Sequence, residues 1–435
     1  MSSRSIAVVG ATVWPGSGPS ALSDHTVVAI DGKVTAVGPR DEVTVPAGVS
    51  VIDGSGLTML PGLTDTHVHL TTNSDETRVA DNAAYLSNTR YADMTLHGIR
   101  NATRALAAGF TTLRVMGLRH AGEVSYRDFI DRGLMAGPKL FVAPWWVSMT
   151  NGHGDLFYYV NRRPREQWDT ADGPDACRQM VRLQAREGAD FIKVMASGGT
   201  MSTGDAPHWP NYTVAELASI VDEAHSMDLR VAAHAHSVEG VRRSIAAGVD
   251  SIEHGSFIGE EEIAMLVDTG TFLVPTLSIG DWLATNGENR GAGAGNLDKL
   301  RRLKETHSAA TQAAFEAGVR IAMGTDSSGD FCPFGEHARE LELYVELGMK
   351  PYQALETATT VAAELLGKVG EIGVIAEGSN ADFVVIHGDP LADISVLRRR
   401  GAVRHVVKSG VDYSTLLDDA PETEALRVPP MPRVV

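Results

Sequence analysis

The chain has 435 residues, 43% of them apolar and 21% charged, and a formal net charge of −17. That length is too great for one small core; it points to one large barrel with an accessory domain, or to two or three ordinary domains. The acidic balance, with no basic stripe to neutralise phosphates, sets nucleic acid aside as a partner.

Residues 4–60 read as short β-rich runs, Ile6 to Val9, Thr26 to Ile30 and Val34 to Val37. Asp31-Gly32 between two of them is a hairpin signal. Val8-Val9-Gly10-Ala11-Thr12 approaches the start of a dinucleotide fold, but the glycine spacing does not match and no helix follows. From about residue 57 apolar strands alternate with helical stretches. The strand candidates are Leu63 to His69, Thr111 to Met116, Leu140 to Val147, Phe191 to Ala196, Val231 to His236, Ser251 to His254, Phe272 to Thr276 and Arg320 to Asp326. Val214 to Met227 and Glu239 to Ala247 are amphipathic helices between them, and Gly248 and Gly318 read as helix stops. Eight strands alternating with helices predict an α/β (β/α)8 TIM barrel, with a doubly wound open sheet as the alternative.

The last helix of this region is expected over Tyr352 to Leu366, ending at Gly367. Strand texture then returns at Ala381 to Ile386 and Val403 to Val407, with Ser409-Gly410 as a hairpin turn. Both ends of the chain therefore share one character. A small β domain from residues 1–57 and 368–435, flanking a barrel over 58–367, is the expected organisation. The proline-bearing tail from Ala420 to Val435 reads as poorly ordered or as a surface wrap. Two cysteines, Cys177 and Cys332, make no disulfide framework, so a reducing compartment is the simpler reading. No leader segment is evident and no apolar run reaches the ~18 residues of a membrane span. The expectation is a cytoplasmic protein with no membrane partner.

The chemistry gathers at strand ends. Phe191-Ile192-Lys193-Val194-Met195-Ala196 puts a lysine inside an apolar strand. A buried amine is costly unless it is paired or chemically altered. Pairing with one buried carboxylate is the plain alternative; reaction with CO2 would give a carbamate able to bridge two cations. His67-Val68-His69 places two imidazoles on one strand face, with Cα atoms about 6.6 Å apart. His234-Ala235-His236 repeats that arrangement on the fifth strand, His254 ends the sixth and Asp326 the eighth. Each alone reads as a core histidine or a capping aspartate. All of them at successive strand ends, on the face where such barrels carry their sites, point to a metal centre.

With Pro61-Gly62 before the first histidine pair, Gly152-His153-Gly154-Asp155 after the third strand and Gly378-Ser379-Asn380-Ala381-Asp382 near the end, the chain resembles the amidohydrolase superfamily. The likeness is to its binuclear branch with a carboxylated lysine, in the imidazolonepropionase-like group that includes Xaa-Pro dipeptidases and the ochratoxin amidase. That resemblance implies a barrel with a β-sandwich from both termini and two divalent ions, zinc expected. His67, His69 and Asp326 would hold one, His234 and His254 the other, with carboxylated Lys193 between them. The spacing itself leaves His234 and His236 open; family usage favours His234, with His236 beside the substrate. A metal-bridging hydroxide would attack an amide carbonyl, and Asp326 would carry the proton to the leaving nitrogen.

For substrate contacts the candidates are His153, Tyr212, His208 and His236. The aromatic loop carrying Trp145, Trp146, Phe157, Tyr158 and Tyr159 and the pair Arg162 and Arg163 belong to the same reading. Thr71 to Met94 reads as a long polar loop, and the glycine-rich stretch Asn286 to Asn296 as a mobile lid. The expected partner is a small-molecule amide, a dipeptide or N-acyl amino acid first and a xenobiotic amide, carbamate or urea second, turned over by a homo-oligomer. A relative that has lost its ligands and serves as a structural protein is the alternative of another class; here every ligand position is filled.

Overall fold

The computed structural model describes residues 4–72, 89–118, 121–155, 170–199, 205–288, 294–328 and 332–415, with backbone only for 294–300. Phe157, Tyr158, Tyr159, Arg162, Arg163 and the tail from Ala420 lie outside them.

Strands from both ends of the chain share one sheet. β1 (Ile6–Val13), β2 (Leu22–Ile30), β3 (Lys33–Pro39), β4 (Ser50–Asp53) and β5 (Thr58–Pro61) precede the central region. Far along the chain, Phe383–Ile386, Val403–Lys408 and Val411–Asp412 join them in an eight-stranded mixed sheet. The two hairpins follow from left-handed backbone at their turns. Asp31 and Gly32 have φ of 51° and 80°, and Ser409 and Gly410 have φ of 51° and 77°. Such paired positive φ values match the twist of the flanking strands.

Pro61-Gly62 is where the chain leaves this sheet. A Cβ on Gly62 would stand 2.0 Å from Thr111 Oγ1, so only glycine fits there. Beyond it, β6 (Leu63–Val68), β7 (Phe110–Val115) and β8 (Lys139–Val142) form one parallel sheet. β9 (Trp146–Val147), β10 (Phe191–Met195), β11 (Arg230–Ala235), β12 (Ser251–His254) and β13 (Phe272–Val274) form a second. Helices run between most of the strands. Val214–His225 buries Leu217, Ile220, Val221 and Ala224 along one stripe and starts at a Thr213–Glu216 capping box. Gly248 ends the helix Val238–Ala247 at φ 90°. This is a TIM-barrel-like α/β fold with an additional mixed sheet.

Four expectations need adjustment. The third strand is two pieces, because Pro144 lies between them where pairing passes from β7 to β10. The eighth is no continuous strand. Residues 320–327 touch β13 through the Leu273–Ile321 bridge and β6 through the Val68–Ser327 bridge. Between them Met323 N–H turns aside to the Thr357 carbonyl at 2.9 Å. The expected helix over 352–366 is broken into Pro351–Thr357 and Thr360–Leu365. There the Ala358 carbonyl is taken by Thr64 N–H at 2.8 Å, so the helical ladder cannot pass. Finally, the stretch expected as a lid is partly helical at both ends: the helix Leu277–Asn286 runs into it and another, Ala294–Glu316, begins inside it. Residues 289–293, the centre of the expected lid, lie outside the described set, as do 73–88 of the expected polar loop, which ends in the helix Tyr91–Ala107.

Cys177 and Cys332 are buried free thiols. Among the described residues no helix is long and apolar enough to cross a membrane.

Candidate metal centre and active site

The C-terminal ends of the parallel strands bring the histidines together. His67, His69 and Asp326 form one group whose nitrogen and oxygen atoms lie within 4.8 Å of one another; His234, His236 and His254 form a second. Asp326 Oδ1 is 3.5 Å from His67 Nε2 and 3.4 Å from His69 Nε2. Two donors held at ~2.1 Å by one tetrahedral ion stand about 3.4 Å apart, so this spacing suits a shared cation. His254 connects the groups, with ring centroids 5.1 Å from His67 and 4.6 Å from His234.

Hydrogen bonds fix which nitrogen faces inward. His67 Nδ1 donates to Glu253 Oε2 at 2.6 Å, and His69 Nδ1 donates to the Gly117 carbonyl at 2.8 Å, leaving both Nε2 atoms as lone-pair donors. His234 is reversed: Nε2 points to the Gly198 carbonyl at 3.3 Å, so Nδ1 is free. His254 Nδ1 lies 2.7 Å from Thr276 Oγ1, and His236 Nδ1 lies 2.9 Å from Ser256 Oγ. Backbone strain collects here too. His254, Thr276 and Asp326 all have left-handed φ, at 74°, 57° and 56°. For non-glycine residues that is uncommon and costs free energy, and its clustering marks the site.

Burial keeps these imidazoles neutral. Desolvation pushes His67, His234, His236 and His254 well below the usual histidine range, and His69 down to about 4. The Lys193 charge adds to the depression in all five. Neutral histidine is the form that binds a metal. Lys193 itself is 1% exposed, and its Nζ has no hydrogen-bond partner among the described residues. Desolvation lowers it to about 8 against the attraction of Glu253 and Asp326. Asp326 is raised to about 7, again chiefly by burial.

A model of the amidohydrolase family matches residues 58–411. The chain belongs to that family. It is therefore a hydrolase acting on carbon–nitrogen bonds of the amide kind, in a family that generally uses a divalent metal. It is 36% identical to the ochratoxinase of Aspergillus niger over 371 residues, 81% of this chain and 75% of that one. Among solved structures it is similar to a Xaa-Pro dipeptidase with methionine bound in its active site. That likeness has a TM-score of 0.86 at 29% identity, covering 94% of this chain and 99% of the other. A prolidase complexed with N-methylphosphonate-L-proline matches with a TM-score of 0.82 at 29% identity over the same shares, 94% and 99%.

The substrate candidates fall in different places. His153 stacks on His234 with centroids 4.4 Å apart and pairs with Asp205 at 3.2 Å, beside the second histidine group. Trp146 stands edge-on to His69 at 6.0 Å, its indole N–H tied to the Gly154 carbonyl at 2.9 Å. His236 stacks on His254 at 4.5 Å. His208 is exposed next to Trp209. Tyr212 departs from expectation. It is fully buried and its hydroxyl donates to the Ala171 carbonyl at 3.0 Å, so the phenol belongs to the core rather than to a substrate pocket.

Sequence reasoning missed Glu253, Arg114 and Asp65. Asp65 accepts from His67 N–H at 3.0 Å, from Thr325 Oγ1 at 2.6 Å and from His337 Nδ1 at 2.7 Å, tying the first strand to the segment that carries Asp326. An acidic residue two positions before His67 in an apolar strand was the available signal.

Proposed function

We propose that the chain is a binuclear metal hydrolase that cleaves the amide bond of a dipeptide or an N-acyl amino acid. Lys193 carries the reading. It is a fully buried amine with no hydrogen-bond partner among the described residues, close enough to depress five histidines that form, with Asp326, two donor groups. These residues fit a pair of divalent cations, with zinc the expected metal. His67, His69 and Asp326 would hold one and His234 and His254 the other. Lys193 would bridge them as a carbamate, formed when the neutral amine attacks CO2 and releases one proton. When bound, the cations supply Lewis-acid polarisation of the scissile carbonyl and an acidified water at neutral pH.

The protein's own groups do the rest. Asp326 takes the proton from the attacking water and returns it to the leaving nitrogen. His153, braced by Asp205 and the His234 ring, holds the substrate's carbonyl or its free carboxylate. His236 lies beside the bound amide, and Trp146 walls the pocket near His69. Methionine in the active site of the similar dipeptidase, and the N-methylphosphonate-L-proline complex of the similar prolidase, support an amino-acid product. The same reading takes residues 58–367 as one (β/α)8 barrel and residues 1–57 with 368–435 as a composite β-sandwich domain.

A panel of N-acyl amino acids and dipeptides, run against aryl ureas and carbamates on metal-loaded protein, tests the proposal. Turnover of the first set is expected; turnover confined to the second overturns the substrate assignment.

A further inference from the structure

Taking the two-cation reading as its basis, we infer that Glu253 is a positioning residue that makes the two metal positions unequal, strengthening the one held by His67, His69 and Asp326. Each histidine of the centre is braced differently. His69 and His234 donate to carbonyl oxygens, and His254 and His236 face hydroxyls. Of these five histidines, His67 alone has its Nδ1 braced by a carboxylate among the described residues, at 2.6 Å.

That carboxylate is itself clamped. Its Oε1 accepts from Arg114 Nη2 at 2.8 Å and from Ser251 Oγ at 2.5 Å, while Oε2, among the described residues, serves His67 alone. Arg114 is in turn anchored to the Thr66 carbonyl at 2.5 Å and to Ser251 Oγ at 3.1 Å. Arg114 and Glu253 are 3% and 0% exposed, so the whole array is out of water. A carboxylate that can only accept forces the proton onto Nδ1, holds Nε2 toward Asp326 and raises the electron density of the ring. A hydroxyl, which can donate or accept, enforces no tautomer.

Glutamine at this position cannot reproduce the arrangement. With its NH2 toward His67 it donates to Nδ1 and favours the tautomer whose Nε2 carries hydrogen, which does not ligate. With its NH2 toward Arg114 it sets donor against donor. The loss falls on one cation position and not on the other.

The experiment is a competitive chelator titration of the zinc-loaded protein, followed by metal equivalents per chain from elemental analysis. Wild type is expected to lose its two equivalents in two steps. The step absent from His67→Ala identifies the position that His67 holds, and it is expected to be the later, tighter one. In Glu253→Gln that step moves to about 10–100-fold weaker affinity, the scale for losing such a brace, while the other stays in place. Glu253→Asp, which keeps the charge, restores part of the difference. Should Glu253→Gln not fold because Arg114 is left unpaired, the double variant Arg114→Met/Glu253→Gln removes both charges and carries the same expectation. Superimposable titrations, or an equal shift of both steps, overturn this inference and leave the two-cation reading standing. A wild-type protein that takes up no metal overturns the reading on which it rests.

Discussion

Glu253 and His254 are neighbours in the chain, yet both side chains reach His67, the carboxylate at 2.6 Å and the imidazole with its centroid 5.1 Å away. Strand alternation would send them to opposite faces. The left-handed backbone of His254, φ 74°, breaks the alternation at the last residue of β12 and brings the ring to the same side. Strain in one residue thus lets one strand supply both a proposed metal donor, His254, and the brace of another, His67.

The Arg114–Glu253 pair predicts its own stability test. Arg114→Met leaves the Glu253 carboxylate buried without its cation, which is expected to cost about 3–5 kcal/mol in unfolding experiments. Replacing both partners by neutral residues is expected to cost less than that single change. A single substitution as mild as the double would show that the pair is not coupled.

Metal content follows from Lys193. Lys193→Ala is expected to hold fewer than the two equivalents proposed for the wild type and to lose activity by on the order of 10²-fold or more, the scale of removing one preorganised electrostatic group. Chelation of wild type is expected to abolish turnover, and readdition of zinc to restore it. Full turnover in metal-free Lys193→Ala protein would contradict this.

Gly199 is expected to act on His153. A Cβ there would meet His153 Cε1 at 2.0 Å, and the Gly199 N–H donates to Asp205, the partner of His153, at 2.9 Å. Gly199→Ala should therefore push the ring aside and resemble His153→Ala, with kcat/KM lowered by up to about 10²-fold, as for a misplacement near 1 Å. Metal content should be unchanged in both variants. Loss of metal instead would assign His153 to the ion centre.

Tyr212→Phe removes a hydroxyl that serves Ala171, not substrate. The expected result is a stability loss of about 1 kcal/mol with kcat and KM near wild type. A selective rise in KM would return Tyr212 to the substrate pocket.

Glu123 supplies a pH test away from the centre. Burial raises its carboxyl to about 7, against a hydrogen bond from its own backbone N–H and one from Thr71 Oγ1 at 2.9 Å. A carboxyl raised above its unfolded value of 4.5 binds more protons folded than unfolded between those two values. Its stabilising contribution is complete below pH 4.5 and is lost as pH rises through about 7. Glu123→Gln should match wild type at the acidic end and exceed it above neutrality by on the order of 3 kcal/mol. Parallel melting curves for the two proteins across this range would refute the shift.

What could be read in the chain alone was whatever depends on near neighbours. Period-two alternation put His67 with His69 and His234 with His236, and strand–helix alternation placed each pair at a strand end. Asp31-Gly32 and Ser409-Gly410 announced their turns through residues that tolerate positive φ, and Lys193 stood out as an amine in an apolar strand. The packed fold decided everything that needs a partner from elsewhere. Glu253 finds His67 across 186 residues of sequence and Asp65 finds Thr325 across 260. The Tyr212 ring faces the core, and the Met323 N–H turns away from the neighbouring strands to Thr357. Backbone preference is settled within a few residues of covalent chain, whereas which buried polar group satisfies which is settled only when strands from distant segments lie side by side and water is gone.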